Sequence, residues 1–98
     1  MAMNVEFHHE ATAEVRAAIA FYEAERIGLG RDLWDEIQAT LQRTELNPDG
    51  PERVRPKLHR ASVRRFPYSV IYGVRGDTLW VVAVTHHSRR EGYWRSRV

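Results

Sequence analysis

An α+β fold, a helical hairpin packed on a mainly antiparallel sheet, is what this sequence predicts, and three observations carry the expectation. Apolar residues recur at spacings of three and four up to Leu46, then alternate in twos from Tyr68 onward. The segment Asn47-Pro48-Asp49-Gly50-Pro51 separates the two regimes and is the strongest break in the chain. The charges are sorted in the same way. Residues 1–50 carry four Arg against ten acids, net −6, and residues 51–98 carry eleven bases against three acids, net +8.

Each element follows in order. Met3-Asn4-Val5-Glu6-Phe7 alternates and predicts a short first strand. From about Glu10, the stripe Ala11, Val15, Ala18, Ile19 and Tyr22 predicts a half-buried helix, with Glu10 and Glu14 suited to its positive N-terminal end. His8 and His9 read as part of the approach to that helix. Gly28 and Gly30 bracket Leu29 and stop it. A second helix starts near Arg31 or Asp32 and buries Leu33, Trp34, Ile37 and Leu41. So short a junction folds two helices into an antiparallel hairpin. After the break, Lys57 to Arg65 reads as a strand exposed on one face. Tyr68 to Val74 follows, then an Arg75-Gly76-Asp77 turn. Leu79 to Val84 is apolar on both faces and reads as the central strand. A short C-terminal helix is expected near Glu91–Arg97. The order is β-α-α-β-β-β within a single domain, residues 1–98, long enough to bury one core.

The totals exclude several classes of function. The 98 residues contain no cysteine, so there is no disulfide framework, thiolate zinc site or cysteine nucleophile. No apolar run approaches a membrane span, and no signal peptide is visible, so a cytoplasmic protein that engages no membrane is expected. The basic half points to a polyanion or an acidic partner. Its bases are Arg except Lys57, and the planar guanidinium suits phosphate and carboxylate.

Three clusters carry possible chemistry. The first is Arg53, Arg55, Lys57, Arg60, Arg64 and Arg65, on and before the second strand, in which Arg60 and Arg64 share a face while Arg65 points the other way unless a bulge intervenes. It is read as a phosphate- or partner-binding face. The second is His86-His87-Ser88-Arg89-Arg90, at the end of the buried strand. Imidazole serves as general acid or base near neutrality, and adjacent His in a strand point to opposite faces. Paired adjacent His do not match zinc spacing, so no metal is expected. The third is Tyr93-Trp94 between arginines, with Trp94 read as a staple docking the tail on the sheet.

Taken together, several segments resemble the RelE/ParE superfamily of bacterial type II toxins. They are Phe7 with Glu10-Ala11, Phe21-Tyr22-Glu23, Gly28-Leu29-Gly30, Asn47-Pro48, Arg64-Arg65-Phe66-Pro67-Tyr68-Ser69-Val70-Ile71-Tyr72, and the tail from His86 through Arg89-Arg90 to Tyr93-Trp94-Arg95. The resemblance spans nearly the whole chain in order. It implies a small toxin without a cofactor, bound and blocked by a cognate antitoxin in a hetero-oligomer. An acidic, partly disordered antitoxin segment would suit the basic half. It also implies two branches. The ParE-like branch inhibits DNA gyrase by binding, and the Phe-Pro-Tyr-Ser-Val form of residues 66–70 looks more like that group. The RelE-like branch is a metal-free endoribonuclease that cleaves messenger RNA on the ribosome. For that branch the resemblance assigns His87, Tyr93 and Arg65 as catalytic candidates, with Lys57, Arg60, Arg64, Arg89 and Arg90 on phosphate or partner. The ribonucleases' third-strand Arg falls on or near Ser69 here, and Arg65 substitutes for it only by projecting into the same groove.

Overall fold

A computed structural model describes residues 3–98. The chain order is β1 (Asn4–Phe7), α1 (His9–Glu25), α2 (Leu29–Leu46), β2 (Glu52–Arg55), β3 (Leu58–Ser62), β4 (Tyr68–Arg75) and β5 (Thr78–His86), followed by a C-terminal 3-10 helix (Tyr93–Arg97). The five strands form one sheet in the order β1-β5-β4-β3-β2. Only the β1–β5 pair is parallel; the others are antiparallel. The helical hairpin lies on one face of the sheet and the C-terminal turn on the other, as two separate apolar clusters record.

The helical face buries Ala11, Val15, Leu33, Ile37, Val70, Tyr72, Leu79, Val81 and Val84. The tail face buries Leu58, Ile71, Val82, Ala83 and Trp94. Because both faces of β4 and β5 are covered, their sequences read as continuous apolar runs. The β4–β5 register skips Val82, a bulge that lets Val81 and Val84 both face the helices.

The hairpin junction differs from the sequence expectation. α1 ends at Glu25, and α2 begins at Leu29 rather than Arg31 or Asp32. Gly28 takes left-handed geometry (φ 90°) and precedes α2 instead of ending α1. The Glu23 carboxylate accepts the Gly28 N–H at 2.9 Å and the Gly30 N–H at 3.0 Å, so it caps the new helix from the old one. A Cβ on Gly30 would stand 2.7 Å from the Ile19 carbonyl oxygen, so only glycine lets the helices meet this closely.

Beyond the break there are four strands, not three. Glu52–Arg55 forms a hairpin with β3, and Pro56-Lys57 is the turn between them. Lys57–Arg65 is therefore not one strand: β3 ends at Ser62, and Arg64 and Arg65 lie in the following loop. The middle strand of the sheet is β4, and β5 lies between β4 and β1. The break itself is tied to the core by Tyr72, whose hydroxyl donates to the Pro48 carbonyl at 2.6 Å.

Candidate functional site

β5 carries its polar end past the last apolar residue and delivers the two histidines to opposite sides, as strand geometry requires. The His86 ring meets Tyr68, which packs against the helical face, at 5.0 Å. Its Nδ1 accepts the Ser88 N–H at 2.9 Å. His87 is exposed, and its backbone N–H donates to Pro67 at 2.8 Å. Its Nε2 lies 3.0 Å from the Ser69 hydroxyl. Ser69 is buried in β4, in register between Ser62 and Thr85. The position where the resemblance implies an arginine thus holds a serine that orients His87.

Three of the candidate cations, Arg60, Arg65 and Arg89, are engaged by other residues. Arg60 is ion-paired with Glu91 of the tail and lies 4.0 Å from Glu52. Arg64 does not share a strand face with Arg60, because it lies in the β3–β4 loop. Arg65 holds a left-handed backbone (φ 72°), lies over the Phe66 ring and reaches Asp32 of α2 at 3.6 Å. Lys57 is exposed in the β2–β3 turn. Arg89 lies 3.8 Å from the centre of the Tyr93 ring, a cation–π contact. Arg64, Lys57 and Arg90 have no side-chain hydrogen bond or ion pair among the described residues.

Tyr93 belongs to a third constellation, centred on Glu14 of α1. β1 pairs β5 only as far as Val81, leaving the next residues of β5 without a strand partner on that edge. Glu14 takes the Val84 N–H at 3.0 Å, and Arg97 donates to the Val82 carbonyl at 3.1 Å. Arg97 also reaches both Glu14 oxygens at 3.0 Å. The Tyr93 hydroxyl donates to Glu14 at 2.6 Å. An acid and a base thus replace the missing strand and pin the tail to α1. Burial, then the bond to Glu14, pushes the Tyr93 phenol above its ordinary pKa. Burial works against the Arg97 charge, but the bonds and charge of Glu14 outweigh it, and its pKa rises. Trp94, held by this latch, is fully buried against the sheet, the staple expected of it.

Sequence reasoning missed Glu14 as a hub, seeing only its favourable place in the helix dipole. A signal was present: Glu14 stands three residues after Ala11 and four before Ala18, on the border of the buried stripe. It also missed Glu91 as the partner of Arg60. His8 caps α1 by accepting the Glu10 N–H at 3.1 Å. His8, His9 and Glu10 place possible metal-ligand atoms within 4.8 Å of one another, and the capping bond takes only His8 Nδ1. No helix among the described residues is long and apolar enough to cross a membrane.

A five-stranded sheet with one parallel edge, a helical hairpin on one face and a basic tail on the other defines the RelE/ParE-like toxin fold. The sequence profile described as "ParE toxin of type II toxin-antitoxin system, parDE" matches residues 5–91. The chain belongs to that family, within the RelE/ParE superfamily of toxins. Solved structures agree on the fold. The chromosomal ParDE toxin–antitoxin system from P. aeruginosa superposes with a TM-score of 0.73 at 15% identity, covering 86% of this chain and 95% of that one. An Arg-to-Ala double mutant of E. coli RelE in the free state gives 0.69 at 20% identity, covering 95% and 92%. The isolated E. coli RelE toxin gives 0.65 at 20% identity, covering 97% and 95%. No curated protein sequence matches the chain.

Proposed function

We propose that this toxin inhibits growth in the cytoplasm by binding DNA gyrase, and that a cognate antitoxin with an acidic segment releases the inhibition by occupying the basic side. The observation that carries this reading is that the candidate catalytic groups are each engaged by another residue of the protein. Arg60 is held by Glu91, Arg65 by Asp32 at 3.6 Å, His87 by Ser69 at 3.0 Å and Tyr93 by Glu14 at 2.6 Å. Cleavage by 2′-hydroxyl attack needs a base, an acid and cations converging on one phosphate, within about 2.6–3.2 Å of their targets. Each of the four is already engaged by another residue of the protein, and Arg65 points to the helices instead of supplying the cation that Ser69 lacks. Surface binding asks only for exposed cations on a rigid frame, and Arg64, Arg89 and Arg90 provide them.

The test is tightly controlled expression of the chain while plasmid topology and messenger integrity are followed together. Relaxed plasmids with intact messengers are expected. Rapid messenger cuts that His87→Ala abolishes would overturn the reading in favour of the ribosome-dependent nuclease.

A further inference from the structure

An apolar cleft on the tail face lies away from His87. It is lined by Leu58, Gly73, Trp80 and Trp94 and bordered by Arg55, Lys57, Arg75 and Arg95, with a volume of about 470 Å³. Ser69 and Gly73 are four residues apart along β4, so the cleft and the His87–Ser69 pair sit roughly 14 Å apart on the sheet, at about 3.4 Å per residue. The two regions are separate surfaces.

The cleft is built for a peptide side chain. Gly73 carries no Cβ, and one placed there would meet the Lys57 carbonyl oxygen at 2.8 Å and Leu58 Cδ2 at 3.1 Å; this glycine lets the β2–β3 turn close over the sheet. The floor is carbon-rich, with Trp94 held down by the Glu14–Arg97 latch. Its volume falls within the range of ordinary ligand pockets and takes one or two large apolar side chains. The border has a single sign. Four lining residues are basic and none is acidic. Two of these cations lie over aromatic rings, Arg55 on Trp94 at 5.6 Å and Arg75 on Trp80 at 5.2 Å; Arg55 also donates to the Val54 carbonyl at 2.8 Å, whereas Arg75 has no side-chain hydrogen bond or ion pair among the described residues and is free to meet a carboxylate. The Trp80 indole N–H is buried and meets no acceptor among the described residues. A buried donor without a partner marks a place where an incoming acceptor is favoured.

We propose that this cleft anchors the antitoxin through an acidic segment carrying at least one bulky apolar side chain, at a site separate from the surface that meets the target. The apolar side chain fills the floor, its flanking carboxylates meet Arg75 and Arg95, and a backbone or side-chain oxygen accepts the Trp80 N–H. Charge complementarity selects the occupant: the four border cations repel a basic segment and favour an acidic one. The proposal rests on the family's pairing of toxin with antitoxin and is independent of which target the toxin attacks.

Calorimetric titration of the chain with its purified antitoxin tests this, using Arg75→Glu/Arg95→Glu and, separately, Trp80→Phe, which keeps a smaller aromatic ring in the floor and loses the N–H. The double charge reversal is expected to weaken antitoxin binding at least 100-fold, and Trp80→Phe about tenfold. Growth inhibition by the charge-reversed chain alone should persist and resist co-expressed antitoxin. Parental affinity in both variants overturns the proposal. So does loss of toxicity with unchanged antitoxin affinity, which would assign the cleft to the target. Displacement of the antitoxin by a single-stranded RNA oligonucleotide that binds the parent but not the variants would assign the cleft to nucleic acid.

Discussion

Replacing Glu14 by Ala removes the acceptor for three donors at once: the Val84 N–H at 3.0 Å, the Tyr93 hydroxyl at 2.6 Å and the Arg97 guanidinium at 3.0 Å. The side chains of Glu14 and Arg97 are 15% and 8% exposed, so solvent screens the pair little. Breaking a buried pair from one side costs about 3–5 kcal/mol, because the other charge is left behind. Arg97 keeps Glu10 at 3.5 Å and the Val82 carbonyl at 3.1 Å, which places the expected loss nearer about 2–4 kcal/mol. For a domain of this size that lowers Tm by roughly 10–25 °C. Urea denaturation followed by circular dichroism measures the loss, with the denaturant slope unchanged if only stability has moved. Tyr93→Phe removes one bond to a charged acceptor and should cost about 1.5–3 kcal/mol. A double-mutant cycle of Glu14→Ala with Arg97→Ala should return a coupling between about 0.5 and 3 kcal/mol. A loss below about 0.5 kcal/mol for Glu14→Ala, where surface substitutions normally fall, would refute the claim that this acid seals β5 and holds the tail.

Three further outcomes follow from the same geometry. Burial, reinforced by the charge of Asp49, pushes the Tyr72 phenol up to about 12 from an ordinary 10, so its stabilising contribution is complete below pH 10 and lost between pH 10 and about 12. Tyr72→Phe should flatten that alkaline limb in a stability-versus-pH series, though not abolish it, because Tyr68 and Tyr93 are also raised. Gly30→Ala should lower stability by about 1–3 kcal/mol in urea titration despite the better helix propensity of Ala, since its Cβ would stand 2.7 Å from the Ile19 oxygen. Arg65→Gly should be more stable than Arg65→Ala by about 1 kcal/mol, because both lose the Asp32 pair and only glycine relieves the left-handed backbone.

The layered fold was legible because it rests on periodicity. The stripe from Ala11 to Tyr22 and the double-sided run of Leu79 to Val84 are direct consequences of which faces are covered. The hairpin junction was misread because Gly28-Leu29-Gly30 can end one helix or begin another, and a carboxylate on Glu23, five residues before Gly28 and seven before Gly30, decides between them. β2 was missed because Glu52–Arg55 is a short, polar edge strand whose partner is specified by pairing, not by its own pattern. For the candidate site, the sequence placed His87 and Ser69 on the two strands where they meet. It did not show that Arg60, Arg65 and Tyr93 would each be drawn to a different acid. Glu91, Asp32 and Glu14 are 31, 33 and 79 residues away from their partners, and contacts at that separation depend on the assembled layers.

Inhibition of ATP-dependent supercoiling by purified DNA gyrase, titrated with the purified chain, tests the central claim most directly. The account predicts concentration-dependent loss of supercoiling that His87→Ala leaves intact and added antitoxin reverses. Undiminished supercoiling at saturating toxin, from a preparation that still arrests growth when expressed, would contradict it.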